Sequence, residues 1–125
     1  MRVLVTGASG FLGSHICEEL SREGHTVRAL VRKTSNRAHL EALPSVELAY
    51  GSVEDADAVR AAMKGVDAVI HAAALVKARS PAEFRRTNVE GTENLLAAAK
   101  AEAPGLRRFV LVSSLAVCGP SVDGK

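Results

Sequence analysis

The sequence predicts an α/β fold in which five parallel strands form one doubly wound sheet in the order 3-2-1-4-5, with helices on both faces. Short apolar runs rich in β-branched residues alternate along the whole chain with segments of helical periodicity. Right-handed crossovers between parallel strands leave few other topologies. The 125 residues, 47% of them hydrophobic, suffice for one domain with a buried core.

The first 31 residues predict a strand, a helix and a second strand. The apolar run 3–5 is a buried strand that ends at a glycine-rich turn. A helix over 11–23 follows, and Gly24 stands where a left-handed cap is wanted. The second strand spans 26–31. Apolar residues at a spacing of four predict the buried stripe of the helix, which consists of Leu12, Ile16 and Leu20.

The next segment repeats this alternation. A short helix over 35–43 is stopped by Pro44, and a third strand spans 46–50. Ser52 is expected to cap the following helix, with Asp55 in the capping-box position. The predicted buried stripe of that helix is Ala56, Val59 and Met63.

A long helix connects the last two predicted strands, which span 68–70 and 109–113. The helix covers 81–103 and starts with a proline at its first position. Ser80 is its predicted cap and Glu83 completes a capping box. The basic residues around its start are interpreted as a solvated helix face; they are Lys77, Arg79, Arg85 and Arg86.

Composition and charge exclude several classes of function. The 16 Lys and Arg residues nearly balance the 14 Asp and Glu residues, and aromatic residues make up only 3%, which argues against nucleic-acid binding. No apolar run reaches the roughly 18 residues of a membrane span, and the amino end does not resemble a secretory signal. Cys17 and Cys118 form neither a metal pattern nor a disulfide framework, so we expect no metal and a reducing, cytoplasmic location.

The turn between the first strand and the first helix carries three glycines spaced GxxGxxG. Gly7 allows a sharp exit from the strand, Gly10 lets the backbone approach a pyrophosphate, and Gly13 lets the helix pack against the strand. The helix amino terminus offers N–H groups and a positive dipole end to an anion. At this position in a β-α-β unit, the pattern predicts a dinucleotide-binding site.

The residue that ends the second strand indicates which dinucleotide is bound. An acidic residue there would accept from the ribose 2′-hydroxyl and favour NAD. This chain instead has Arg32, 19 residues after Gly13, followed by Lys33. Because a guanidinium can grip a 2′-phosphate with two hydrogen bonds, we expect NADP(H) to be preferred over NAD(H).

Four motifs then resemble the extended short-chain dehydrogenase/reductase family, which includes NAD(P)-dependent sugar epimerases, dehydratases and ketoreductases. They are TGASGFLG at 6–13, VIHAAA at 69–74, NVEGT at 88–92 and VSSLAVCG at 112–119. The resemblance covers the whole chain in order, and it implies a Rossmann-type NAD(P)-binding domain over 1–125 that is incomplete relative to the family and lacks its substrate domain. The stretch 27–32 is most similar to the dihydroflavonol-reductase branch, whose members generally use NADPH.

The resemblance assigns roles position by position. Ser52 stands where the family has an Asp beside the adenine, which puts that hydrogen bond in doubt. Asn88 is either a structural residue or a cofactor contact, and Gly91 implies close packing of its helix on the sheet. Ser114 is the expected contact to the substrate oxygen. The candidate cofactor-binding residues are Gly7, Ser9, Gly10, Phe11, Leu12, Gly13, Arg32, Lys33, Ser52, Val53, Ala72, Ala73, Ala74, Asn88, Val112 and Ser113.

The family's catalytic Tyr, with a Lys four residues later, has no counterpart in this sequence. The single tyrosine is Tyr50, and the residue four positions after it is Glu54 and not Lys. Tyr50 lies in the third predicted strand, in the core or at its rim. Cys118 has no neighbouring His or acid that would make it a nucleophile. Two interpretations stay open: the amino-terminal portion of an NADP(H)-dependent oxidoreductase or sugar-nucleotide epimerase, whose small-molecule substrate needs the full-length parent, or a non-catalytic dinucleotide-binding module.

The fifth strand predicts self-association. In the order 3-2-1-4-5 it is an edge strand, and its apolar run 109–112 would leave backbone groups unpaired on one side. We therefore expect a homodimer or a larger species formed through this edge or through the open sheet face beside it; the alternative is a marginally stable monomer with a frayed fifth strand.

Overall fold

One parallel sheet of five strands, in the order β3-β2-β1-β4-β5, organises the computed structural model, which describes residues 1–75 and 79–114. The fold class and strand order predicted from the sequence are confirmed. The strands are β1 (Arg2–Thr6), β2 (Thr26–Val31), β3 (Val46–Tyr50), β4 (Ala68–His71) and β5 (Arg108–Leu111); the helices are α1 (Phe11–Arg22), α2 (Ala38–Glu41), α3 (Ala56–Met63), α4 (Pro81–Phe84) and α5 (Gly91–Glu102), with a π-helical segment, Arg85–Glu90, between the last two.

Two apolar layers cover the sheet. Because side chains alternate along a strand, Leu4 of the central strand faces one layer while Val3 and Val5 face the other. The Leu4 layer is built with α3 and α5, and the opposite layer with α1 and α2. The helices on both faces make the fold doubly wound, and no helix among the described residues is long and apolar enough to cross a bilayer.

Helix α1 buries part of the predicted stripe, since Ile16 and Leu20 pack against the core while Leu12 does not. Gly13 and Cys17 are buried, whereas Leu12 is 49% exposed. The reason is the glycine turn, because α1 must present Gly13 to the turn and this rotates Leu12 outward. Gly24 adopts a φ of +88°, and the N–H of the following His25 donates to the carbonyl of Leu20, so the predicted left-handed cap is confirmed.

Two predicted helix starts are wrong. Helix α2 is shorter than 35–43 because the Asn36 side chain accepts from the N–H of Ala38 and holds the preceding residues in a turn. Helix α3 is capped by Asp55, which accepts from the N–H groups of Asp57 and Ala58, and not by Ser52. Ala56 is consequently exposed at the first position of α3, and Ala62 joins Val59 and Met63 in the core.

The long helix starts as predicted, with Ser80 accepting from the N–H of Glu83 and Pro81 at its first position. The Glu83 carboxylate accepts from the N–H of Arg79, one residue earlier than a regular capping box would have it. The π-helical segment that follows was not predicted. Such turns are frequent at functional sites, and this one faces the cleft described below.

Strand β5 ends at Leu111, two residues before its predicted end. Its partner β4 ends at His71, whose carbonyl accepts from the N–H of Val112. Because β4 offers no residue beyond His71, the pairing of β5 with β4 stops at Leu111. Tyr50 lies at the rim, 45% exposed, with the Arg37 guanidinium above its ring. The predictions for Lys77, Cys118 and residues 115–125 lie outside the described residues.

Candidate dinucleotide site

A cleft of about 330 Å³ opens at the carboxyl ends of the strands. It lies where the chain leaves β1 for one face of the sheet and β4 for the other, which is where ligands bind in open α/β sheets. Its lining residues are Thr6, Gly7, Ser9, Gly10, Leu30, Val31, Arg32, Ser35, Gly51, Ser52, Val53, Glu54, Ala72, Ala73, Ala74, Leu75, Glu83, Arg86 and Thr87.

The glycine turn forms one wall of this cleft. Gly7 has a φ of +69°, and a Cβ placed on it would lie 2.7 Å from the backbone nitrogen of Ala73. Gly13 has no room for a Cβ, because that atom would overlap the carbonyl of Gly7. Gly10 differs from both, since its extended backbone at φ −79° suits any residue, although a Cβ there would lie 3.3 Å from the carbonyl oxygen of Gly7, a tight contact. A glycine at position 10 therefore avoids this contact and keeps the cleft lining there free of a side chain.

The amino terminus of α1 faces the same space. Its cap residue, Gly10, offers no side-chain hydrogen bond, and the first turn carries no acidic residue. The first N–H groups of an α-helix have no acceptor within the helix, so the terminus favours an anion. Phe11 is 85% exposed beside it, in edge contact with His15.

The floor of the cleft is made of small residues fixed by hydrogen bonds. The N–H of Ala73 donates to Thr6 Oγ1 at 3.1 Å, and the N–H of Ala72 donates to the Thr6 carbonyl at 3.2 Å. Leu75 continues this segment, and its N–H and carbonyl both bond the side chain of Asn88. Through these two bonds Asn88 joins the π-helical segment to the residues after β4.

Beneath the floor lies a buried network that the sequence patterns did not predict. His71 contacts Thr6 Oγ1 through Nδ1 at 2.6 Å and Thr92 Oγ1 through Nε2 at 2.9 Å. Burial lowers the pKa of His71 below its usual value, which favours the neutral ring. The signal was present in the sequence as a polar residue in the apolar run at the end of β4.

The opposite end of the cleft is polar. Arg32 follows β2 there, exposed, with Ser35 in the same turn. Glu54 accepts from the Thr87 hydroxyl at 2.8 Å and lies 3.8 Å from Nε of Arg86. The π-helical segment thus places Arg86 at the cleft. The sequence analysis had interpreted Arg86 only as part of a solvated helix face.

Several candidate residues lie outside the cleft lining: Phe11, Leu12, Gly13, Lys33, Asn88, Val112, Ser113 and Ser114. Gly91 does pack closely, but on Val53 after β3 and not on the sheet itself, since a Cβ at Gly91 would lie 2.7 Å from the Val53 side chain. Ser52 turns its hydroxyl back to accept from the N–H of Glu54 at 3.2 Å. Within residues 1–75 and 79–114, no three His, Cys, Asp or Glu side chains are grouped to share a metal ion.

The doubly wound sheet, the glycine turn and the cleft at the strand ends define a Rossmann-type α/β protein. Residues 3–124 match the model of the NAD dependent epimerase/dehydratase family, and the chain belongs to that family.

Known relatives agree with this assignment. The chain is 42% identical over 118 residues to a 4-hydroxy-2-methyl-3-oxo-4-farnesyl-3,4-dihydroquinoline-1-oxide ketoreductase of Stigmatella aurantiaca, covering 94% of this chain and 34% of the relative. It is 38% identical to a short-chain dehydrogenase/reductase superfamily protein of Agrobacterium tumefaciens with bound NAD, with a TM-score of 0.74 over 91% of this chain and 33% of that one. It is 30% identical to a UDP-glucose-4-epimerase of Stenotrophomonas maltophila with bound NAD, with a TM-score of 0.86 over 98% and 39%. The chain therefore spans about a third of the length of the curated relatives it matches.

Proposed function

We propose that this chain is the NADP(H)-binding amino-terminal portion of an NAD(P)-dependent oxidoreductase or epimerase. Its substrate class would be a carbonyl or hydroxyl compound or a sugar nucleotide, bound by the full-length parent. The observation that carries the proposal is the glycine turn at the head of α1, which leaves a backbone-lined, uncapped helix terminus open to the cleft.

The dinucleotide fits the groups around this turn. A diphosphate would take the helix terminus and the N–H groups near Ser9 and Gly10, which line the cleft. The small residues Ala72, Ala73 and Ala74 leave room for the rest of the cofactor above the strand ends.

The preference for NADP(H) is supported by Arg32. Its side chain is exposed at the end of β2, lines the cleft and can reach a 2′-phosphate, with Lys33 adding positive charge beside it. An acidic residue is expected here for NAD, and this position has none. NAD(H) is the second cofactor of the same proposal.

The bound nicotinamide would supply or accept a hydride. For the chain's own residues, the proposal gives Ser114, just beyond β5, the role of holding a substrate oxygen, with Val112 and Ser113 beside the cofactor. Proton transfer to that oxygen is assigned to no residue of this chain, since Tyr50 lies at the rim of β3. The position of the single tyrosine at the rim of β3 favours the second candidate function, a non-catalytic dinucleotide-binding module.

Calorimetric titration of the chain with NADPH and NADH tests the proposal. We expect saturable binding of one dinucleotide per chain, and Gly10→Val should abolish it while the circular dichroism spectrum is unchanged. The matched control is Gly105→Val, because a Cβ at Gly105 meets nothing within 4 Å. Failure of the unmodified chain to bind either dinucleotide would overturn the proposed function.

Self-association is the second part of the proposal. Among the described residues β5 pairs only with β4, and Val110 and Leu111 are 46% and 56% exposed. An apolar edge strand of this kind favours pairing with another chain, which supports a homodimer through the β5 edge or the sheet face beside it. The buried free thiol of Cys17 supports a reducing, cytoplasmic location.

A further inference from the structure

A continuous chain of hydrogen bonds runs from the cleft floor through His71 to the helix behind it. The N–H of Ala73 donates to Thr6 Oγ1 at 3.1 Å, and Thr6 Oγ1 lies 2.6 Å from His71 Nδ1. On the other side of the ring, Nε2 lies 2.9 Å from Thr92 Oγ1, whose hydroxyl donates to the Asn88 carbonyl at 2.8 Å. Thr6 and His71 are both buried, so the bond between them is shielded from water, while Ala73 and Thr92 at the two ends are partly buried.

The number of protons available to these hydrogen bonds determines which nitrogen of the His71 ring is protonated. The single hydroxyl proton of Thr92 is used on the Asn88 carbonyl, so Thr92 can only accept from His71. Nε2 therefore carries a proton, and in the neutral ring Nδ1 is then a bare acceptor. It follows that the Thr6 hydroxyl donates to Nδ1, which leaves the Thr6 oxygen lone pairs to accept from Ala73.

This direction matters for the cleft because Ala73 is part of its floor. The backbone of Ala72 and Ala73 packs so closely on Gly7 that a Cβ there would lie 2.7 Å from the Ala73 nitrogen. The position of the Ala73 peptide therefore sets the space beside the glycine turn. With Nδ1 removed as an acceptor, the Thr6 hydroxyl would be free to rotate and its bond to Ala73 would weaken.

We infer that His71 is a positioning residue for dinucleotide binding: as the Nε2–H tautomer it orients the Thr6 hydroxyl, and through Thr6 it fixes the Ala73 peptide in the cleft floor. The inference rests on the proposed function, since it concerns the same cleft. It assigns His71 no contact with the ligand or with reacting atoms. The groups that contact the ring from β1 and α5 are hydroxyls, and the register partner of His71 on β5 is the uncharged Leu111.

Two substitutions separate the halves of this hydrogen-bond chain. The Oδ1 atom of an asparagine can replace Nδ1 as the acceptor for Thr6, whereas the longer glutamine reaches the Nε2 position and the Thr92 hydroxyl. Both leave a polar residue of reduced volume at the same buried site. We expect His71→Asn to retain NADPH affinity within about twofold, and His71→Gln to weaken it by roughly 3- to 10-fold, the value of one buried hydrogen bond.

Three measurements on the 125-residue chain are needed: NADPH affinity by calorimetry, the melting temperature, and nitrogen-15 NMR of the imidazole and the Ala73 amide. The expected results are an Nε2–H tautomer in the unmodified chain, and Ala73 amide protection that persists in His71→Asn and falls in His71→Gln. Val59→Ala, in the core away from the cleft, should lower the melting temperature without changing the affinity.

An Nδ1–H tautomer would overturn the inference, as would equal affinity losses in His71→Asn and His71→Gln that follow their melting temperatures. The NMR results do not depend on ligand. If the unmodified chain binds no dinucleotide but shows the expected tautomer and Ala73 protection, the proposed function has failed and the claim about the floor peptide stands on its own.

Discussion

A Cβ atom on Gly13 would overlap the carbonyl oxygen of Gly7, so the first turn of α1 lies directly against the turn that precedes it. The same carbonyl accepts from the N–H of Gly10 at 3.1 Å. The contact joins the end of β1 to the start of α1 and turns the helix terminus toward the cleft. It explains why Gly13 and Cys17, rather than Leu12, form the buried stripe of α1.

The first prediction follows from this contact. Gly13→Ala should lower the free energy of unfolding by about 1–3 kcal/mol, because the neighbouring atoms are backbone and cannot move aside without shifting α1. It should also weaken dinucleotide binding, since the helix terminus moves with the backbone. Denaturant unfolding measures the first effect and calorimetric titration the second.

Gly105→Ala is the matched control, because a Cβ there meets nothing within 4 Å and its backbone is not left-handed. It should leave the free energy of unfolding within about 0.5 kcal/mol of the original. Equal stabilities for Gly13→Ala and Gly105→Ala would show that the contact at Gly13 is looser than described.

The second prediction concerns cofactor preference. The unmodified chain should bind NADPH about 10- to 100-fold more tightly than NADH, corresponding to a charge-assisted hydrogen bond of about 1.5–3 kcal/mol. Arg32→Asp should shrink or reverse the preference, because a carboxylate repels the 2′-phosphate and accepts from the 2′-hydroxyl. Titration with both cofactors gives the ratio.

Arg107→Asp makes the same change of charge at an exposed position before β5, away from the carboxyl ends of the strands. It should lower the affinity for both cofactors slightly and leave their ratio unchanged. The assignment of Arg32 fails if the unmodified chain binds NADPH and NADH equally well.

The third prediction concerns Cys17 of α1, whose side chain is fully buried in the core between α1 and the sheet. Burial raises its pKa from 9.0 to about 11. Above pH 9 the thiol of the unfolded chain ionises while the folded one stays protonated, so the unfolded state gains stability with rising pH. The free energy of unfolding should therefore decline between pH 9 and 11, and more steeply than in Cys17→Ala.

Denaturant unfolding of both chains at several alkaline pH values checks this, since other titrating groups cancel in the difference. The folded thiol should also react slowly with an alkylating reagent near neutral pH, because the thiolate is the nucleophile. Parallel pH profiles for the two chains would contradict the prediction.

The sequence predicted the strand order of the sheet and part of the cleft, for physical reasons. Buried parallel strands are continuous apolar runs, so β2 and β3 were predicted with their correct bounds. The glycine turn is a local motif, and the spacing of its glycines predicted that the helix would pack closely at Gly13. Glu54, Arg86 and the His71 network depend on contacts between segments far apart in the chain, which no local pattern reports.

Capping errors had a similar origin. Ser52 and Asp55 are both good caps, and the sequence analysis chose Ser52, which was wrong. In the structure Ser52 lies in the turn after β3, bonded to the N–H of Glu54, and Asp55 caps α3. The end of β5 depended on where β4 stops, at His71.

The fourth prediction concerns turnover by the 125-residue chain. We expect NADPH binding without carbonyl reduction above background, because the only tyrosine lies at the rim of β3 and general acid–base catalysis usually contributes about 100- to 10,000-fold. Absorbance at 340 nm with a panel of ketones measures it. NADPH oxidation that decreases in Ser114→Ala would mean that this chain holds its own proton donor.

The last prediction concerns association through β5. Because Val110 and Leu111 are exposed on a strand that pairs on one side with β4, the 125-residue chain should form a species of at least twice its 13.1 kDa mass at micromolar concentration. Val110→Lys should shift it toward monomer, since a charged residue opposes pairing at a sheet edge. Leu96→Lys is the matched control, because Leu96 is a leucine of 51% exposure that belongs to α5 and not to β5. Light scattering after size exclusion gives the masses, and a cooperative melt of the Val110→Lys chain would show that the fold survives. A 13.1 kDa species for the unmodified chain, or dissociation by Leu96→Lys and not by Val110→Lys, would place any association elsewhere than at β5.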